Sequence, residues 1–265
     1  MTFKHAALAI AASLVSVSAL AVPITSTTNT RPVDVAPHNA EVQLDRVLDE
    51  QFGPGPHAQS PAGVFRFSGG FGTAAPTLVL EQTAGFATQR LGVWFGNDTD
   101  NLLRFDIFRG AASVGPNGDT FPGGGPGEGT TTSLRISGNT LQIGGSGLPP
   151  EFYSCSDSYT EVNFCTATDD RISENFFGFY FQSNTNAPVY HTLDLLNPQG
   201  AARVLAFNGS GPTAGAWIFA FEDGGGQDFN AMVVKVESLQ AAPAAVPLPG
   251  TVALLGAGLL RQRRR

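Results

Sequence analysis

Four candidate metal donors fall within nine residues of the stretch WIFAFEDGGGQDFNAMVVKVES: Glu222, Asp223, Asp228 and Asn230. Carboxylates and an amide carbonyl are hard donors of the kind Ca2+ takes. Gly224, Gly225 and Gly226 sit between two apolar runs and predict a tight turn. That turn would bring Glu222 and Asp223 opposite Asp228 and Asn230, which makes Ca2+ the candidate cofactor. The same side chains can instead accept hydrogen bonds from the turn's own backbone amides. Both readings stay open at this level.

Other chemistry is sparse. The chain contains no GxSxG and no HExxH, the patterns that would place a nucleophile or a zinc ion. Apart from His5 near the N-terminus, the histidines are His38, His57 and His191, the first two beside prolines. No residue is therefore assigned a catalytic role. Asp169-Asp170 is a candidate carboxylate pair for glycoside hydrolysis, set against the simpler reading of a solvated acidic loop. GPNGDTFPGGGPGEG, Gly115 to Gly129, is glycine-rich but lacks the GK[ST] ending of a phosphate loop, and reads as a surface loop.

The N-terminus decides the compartment. MTFKHAALAIAASLVSVSALA has one Lys, an apolar run from Ala6 to Leu20 and a small-residue cleavage sequence at Ala19-Leu20-Ala21. These are the parts of a secretory signal peptide over 1–21, cut between Ala21 and Val22. Export makes Cys155 and Cys165, the only two cysteines, with nine residues between them, a candidate disulfide closing a polar loop. Between signal and tail the chain has 10 Lys and Arg against 22 Asp and Glu, a formal charge of −12, with Lys235 its single lysine. That balance excludes nucleic-acid backbone binding, which needs clustered cations.

The elements that must position these residues are strands. With 32 Gly, 18 Pro, 20 Phe and only 14% charged residues, the composition predicts many short strands joined by turns. Strands are expected over VFRFS (64–68), LGVWF (91–95), LLRFDIFR (102–109), FFGFYFQ (176–182), VYHTLDL (189–195), AWIFAF (216–221) and AMVVKVE (231–237). In LLRFDIFR, Leu103, Phe105 and Ile107 alternate with Arg104 and Asp106, the period of a half-buried strand. SLRISGNTLQIGG predicts a hairpin with Leu134 and Ile136 answered by Leu141 and Ile143 across Gly138-Asn139. Only LDRVLDEQF (44–52) reads as a helix. The expectation is one all-β domain over 22–240, a two-sheet sandwich or jelly roll.

The tail stands apart. Residues 241–265 contain Val246-Pro247-Leu248-Pro249, then an apolar segment, then Arg261, Arg263, Arg264 and Arg265. Helix is restricted to the part after Pro249, where TVALLGAGLL spans about 15 Å against roughly 30 Å of hydrocarbon. Such a segment is a weak anchor, held chiefly by its flanking arginines.

The order of proline signature, apolar segment and arginine cluster resembles the PEP-CTERM sorting signal of exported Gram-negative bacterial proteins. That resemblance implies an exosortase as processing partner, transient anchoring in the inner membrane, and release or attachment at the cell surface or in the extracellular matrix, with exopolysaccharide a candidate partner. Here the signature reads Val-Pro-Leu-Pro rather than Val-Pro-Glu-Pro. The Trp217 to Ser238 stretch is similar to a C-terminal hairpin shared by many such proteins and by a calcium-associated β domain; Phe221, Glu222, Asp223, Asp228, Phe229 and Asn230 match its motif, and Ala231 stands where the motif has a last Asp. The expectation is a non-catalytic surface or matrix protein. The alternative is a carbohydrate-binding module or glycan-active enzyme with Trp94, Tyr153 and Tyr159 forming an exposed platform, while Trp217 faces the core.

Overall fold

A computed structural model describes residues 44–68, 73–81, 89–96, 99–109, 131–144, 157–160, 164–184, 186–223 and 229–243. The signal peptide, residues 110–130, Cys155 and the sorting tail lie outside the described residues. One helix, α1 (Leu44–Phe52), precedes strands β1 (Gln59–Ser60), β2 (Phe65–Phe67), β3 (Thr73–Glu81), β4 (Arg90–Phe95), β5 (Leu103–Arg109), β6 (Ser133–Ser137), β7 (Thr140–Gly144) and β8 (Asp157–Thr160). The remaining strands are β9 (Phe164–Thr168), β10 (Phe177–Gln182), β11 (Tyr190–His191), β12 (Val204–Asn208), β13 (Trp217–Phe221), β14 (Met232–Glu237) and β15 (Leu239–Ala241). The all-β expectation holds. Among the described residues no helix is long and apolar enough to cross a membrane.

The strands form a nine-stranded sheet, ordered β1-β12-β13-β14-β3-β6-β7-β9-β8, and a six-stranded sheet, ordered β15-β2-β10-β4-β5 with β11 on β10. All pairings are antiparallel. The sheets pack face to face in a sandwich-like arrangement. Phe65 of one meets Trp217 and Phe219 of the other edge-on, each at 4.9 Å between ring centroids, and Phe179 lies 4.8 Å from Phe219. These interlocked rings are the centre of the core; Trp217, expected to face inward, is 2% exposed.

Strands β10 and β13 read as unbroken apolar runs because both of their faces are covered. On the outer face of the nine-stranded sheet, α1 lays Leu44, Val47 and Leu48 on Leu205, Phe207, Ile218, Ala220 and Val233. Its apolar positions 44, 47 and 48 follow the i, i+3, i+4 spacing of a single helical stripe. On the outer face of the six-stranded sheet, the segment 189–197 buries Leu193 beside Val64, Trp94 and Tyr180.

The hairpin β6–β7 has the expected register, with Leu134 opposite Ile143 and Ile136 opposite Leu141. Gly138 takes a left-handed φ of 61° in its turn, which glycine adopts without steric cost.

Two expectations are corrected. VYHTLDL is not a continuous strand: only Tyr190 and His191 pair with β10, and Asp194–Leu196 is a 3-10 turn. The ladder stops because side chains take over its bonds: Thr192 Oγ1 accepts from Phe179 N at 3.1 Å and donates to the Gly63 carbonyl at 2.7 Å. The polar stretch between the two cysteines, expected to be a loop, contains the strand pair β8–β9, while the Cys155 end of the expected disulfide lies outside the described residues. There Cys165 lies opposite Ile143 of β7 and Tyr159 of β8. A strand that no sequence expectation covered, β3, contains Pro76. Its ladder with β6 covers only Thr73 and Ala74, so the missing N–H falls where one side of the strand is unpaired.

Candidate functional site

The hairpin expected to hold Ca2+ is described on either side of residues 224–228. The β13–β14 ladder closes at Phe221 opposite Met232, so residues 222–231 are a connection longer than a three-glycine turn. Within it Glu222 is 1% and Asn230 4% exposed, and Asp223 is half-buried. Glu222 Oε2 accepts the backbone N–H of Phe229 at 3.3 Å, and Phe229 itself sits at a φ of 51°. The carboxylate thus braces a left-handed residue whose ring packs in the layer beneath α1. This is the turn-bracing role described above. Asp228 and the three glycines lie outside the described residues. Among those described, no three His, Cys, Asp or Glu side chains gather to hold a metal ion.

Sequence reasoning missed a second polar group, on the outer face of the six-stranded sheet. Cross-strand pairing aligns Asp106 of β5 with Gly92 of β4, Gly92 with Tyr180 of β10, and Tyr180 with His191 of β11. Asp106, Tyr180 and His191 are 3%, 4% and 2% exposed. Tyr180 donates its hydroxyl to Asp106 Oδ1, and Arg90 Nη1 lies 3.9 Å from Asp106 Oδ2. Arg104, exposed at the margin, turns its Nε inward to donate to His191 Nε2 at 3.0 Å.

Two glycines make room for this row. A Cβ on Gly92 would stand 2.3 Å from the Phe105 carbonyl and from the Tyr180 ring, and one on Gly178 would stand 2.5 Å from the Trp94 ring. The aromatic rings therefore lie flat over backbone that only glycine supplies.

The electrostatics follow from burial. Desolvation, with the Asp106 charge beside it, pushes the Tyr180 hydroxyl well above its ordinary value. Desolvation and the Arg104 guanidinium lower His191 to about 3. The imidazole is neutral at physiological pH, with Nε2 as acceptor and the hydrogen on Nδ1, which has no hydrogen-bond partner. Asn197 fixes the backbone around it, accepting His191 N–H at 2.6 Å and donating to the His191 and Ala201 carbonyls at 3.1 and 2.9 Å. Neither Tyr180 nor His191 is tuned for proton transfer near neutral pH, which wants a pKa close to the working pH. The arrangement locks a strap onto a sheet.

The remaining candidates separate. Trp94, expected on an exposed platform, is fully buried: it stands edge-on to Phe176 and His191 and rests over Gly178. Tyr153 lies outside the described residues. Asp169 is chelated by Arg171, Nε to Oδ1 at 2.8 Å and Nη2 to Oδ2 at 2.6 Å, and its pKa falls to about 2 because of those bonds. A glycosidase acid needs the opposite shift. Asp170 accepts from Asn139 Nδ2 at 3.2 Å, so the two acids brace the meeting of the β6–β7 and β9–β10 turns. The cluster of Asp106, Tyr180, Arg104 and His191 had one sequence signal, the polar positions of LLRFDIFR, which alternation alone assigns to solvent.

Comparison with protein-family models, with curated proteins and with solved structures finds no match to this chain.

Proposed function

We propose that this protein is an exported, non-catalytic component of the cell surface or extracellular matrix, sorted through its C-terminus by an exosortase. The observation that carries the reading is the order of parts in Val246 to Arg265: Pro247 and Pro249, an apolar segment, and Arg261, Arg263, Arg264 and Arg265 at the end. Placement of the domain's last strand supports it. β15 completes an edge of the six-stranded sheet, and Ala242, 7% exposed, donates its N–H to the Val64 carbonyl at 2.9 Å. The signature begins four residues later, so a cut near Pro249 removes none of the described residues.

In this reading the apolar segment holds the chain in the inner membrane only while its arginines stay on the cytoplasmic side. Mass spectrometry of both termini tests it. Protein recovered from the surface is expected to begin near Val22, to end near Pro249, and to keep Arg265 when the exosortase gene is deleted. Replacing the four arginines with glutamine is expected to leave the tail uncut. Surface protein still bearing Arg265 in an exosortase-positive cell refutes the reading.

A further inference from the structure

A cavity of about 310 Å3 opens where the β12–β13 connection meets the corner between β14 and β15. Its volume lies at the lower end of small-ligand sites. One wall is the connection itself, Pro212 to Ala216; the other is Lys235 and Glu237 on β14; Ser68 and Ser238 close the end.

The walls are held rigidly. Leu239 N–H donates to the Gly215 carbonyl at 3.1 Å, Trp217 Nε1 to the Leu239 carbonyl at 3.1 Å, and Ser68 N–H to the Ser238 carbonyl at 2.8 Å. The connection is folded tightly on itself: a Cβ on Gly209 would meet the Thr213 carbonyl at 2.3 Å. Ser238 takes a left-handed φ of 65°. A non-glycine residue held there by its surroundings is a form of local strain that concentrates at ligand sites.

The chemistry of the lining selects a ligand class. Lys235 Nζ lies 3.1 Å from Glu237 Oε1, so the single lysine between signal and tail is already neutralised. A free anion would have to displace Glu237, and a free cation would have to displace Lys235. What the pair still offers is ammonium hydrogens and carboxylate oxygens side by side, with the hydroxyls of Ser68 and Ser238 around them and the Thr213 Oγ1 as an acceptor, its hydrogen being donated to the Ser210 carbonyl at 2.9 Å. Pro212 and Ala214 add small apolar surface. Adjacent donors and acceptors on one wall and C–H contact on the other match a ring bearing neighbouring hydroxyl groups.

We propose that this cavity binds one neutral sugar ring, as the end or a branch of a glycan. The site lies in the β domain, and its test does not read the tail, so it stands or falls apart from sorting. The full-length protein, labelled with 15N, is titrated with glucose, galactose and mannose to roughly 50 mM, the range in which a single-ring ligand binds. At least one hexose is expected to shift the amides of Gly215, Lys235 and Ser238. Glu237→Gln, at an exposed position, is expected to weaken that binding about tenfold, the loss of one hydrogen bond to a charged group. Ser68→Ala, which removes no packed atom, gives a second reading if the first variant disturbs the fold. Shifts confined elsewhere, no shift with any hexose, or tighter binding of glucuronate or inorganic phosphate than of the neutral sugars each overturn the proposal.

Discussion

The two outer faces of the sandwich are covered by different means. α1 covers the nine-stranded sheet with leucine and valine on an apolar patch. The segment 189–201 covers the six-stranded sheet over a row in which Asp106, Tyr180 and His191 are buried. The first contact needs only area and volume. The second depends on specific hydrogen bonds, because a buried polar atom left without one, as His191 Nδ1 is, keeps its full desolvation cost. A helix of nine residues has little stability of its own, so apolar packing holds it. The strap is a two-residue strand followed by two 3-10 turns, and Asn197, Thr192 and Arg104 hold it in place. The lesson is that an apolar cover tolerates substitution by shape, whereas a polar cover tolerates almost none.

The largest expected effect comes from closing the space under the polar row. Gly92→Ala places a methyl group against the backbone carbonyl of Phe105, which cannot swing aside as a side chain can. Urea denaturation is expected to show a loss of about 3 kcal/mol or more. A loss below about 1 kcal/mol would mean that the rings are not seated on this backbone.

A pair of near-isosteric changes sharpens the comparison. Tyr180→Phe leaves the shape but removes the hydroxyl from Asp106, and is expected to cost about 2 kcal/mol, the range of a hydrogen bond to a charged group. Leu48→Met on the helical face keeps volume and is expected to cost under about 1.5 kcal/mol. Equal losses from the two changes would erase the distinction between the faces.

A further effect is in pH. Because the folded-state pKa of His191 lies at about 3, the unfolded chain takes up a proton below about 6.5 that the folded chain refuses. Stability therefore falls as pH drops from about 6.5 towards about 3, at up to about 1.4 kcal/mol per unit from this group. Above pH 6.5 both states are neutral and the contribution is flat. His191→Gln, whose side-chain oxygen can still accept from Arg104, is expected to flatten the wild-type slope between pH 6 and 4 by about that amount; identical slopes would show that His191 titrates normally.

Much of the architecture was legible in the residues. Leu44 to Phe52 carries the helical stripe, and Leu134, Ile136, Leu141 and Ile143 carry the hairpin register, because both patterns depend on neighbours close in sequence. β3, with its proline, and the polar strands β8 and β9 carry no such pattern; their pairing is decided by partners far along the chain. The same division applies to the candidate site. Sequence places Arg104 and Asp106 on the face of β5 opposite Phe105 and Ile107, and in a lone strand that face is solvent. Only the folded chain lays Tyr180 and His191 beside them and turns a wet face into a buried one. The proposal of export and sorting rests on linear order at the two termini, which the residues alone express. Burial, the shifted ionisation of His191 and the cavity at Lys235 arise from contacts that no local pattern encodes, since each is the product of segments that meet only when both sheets have closed.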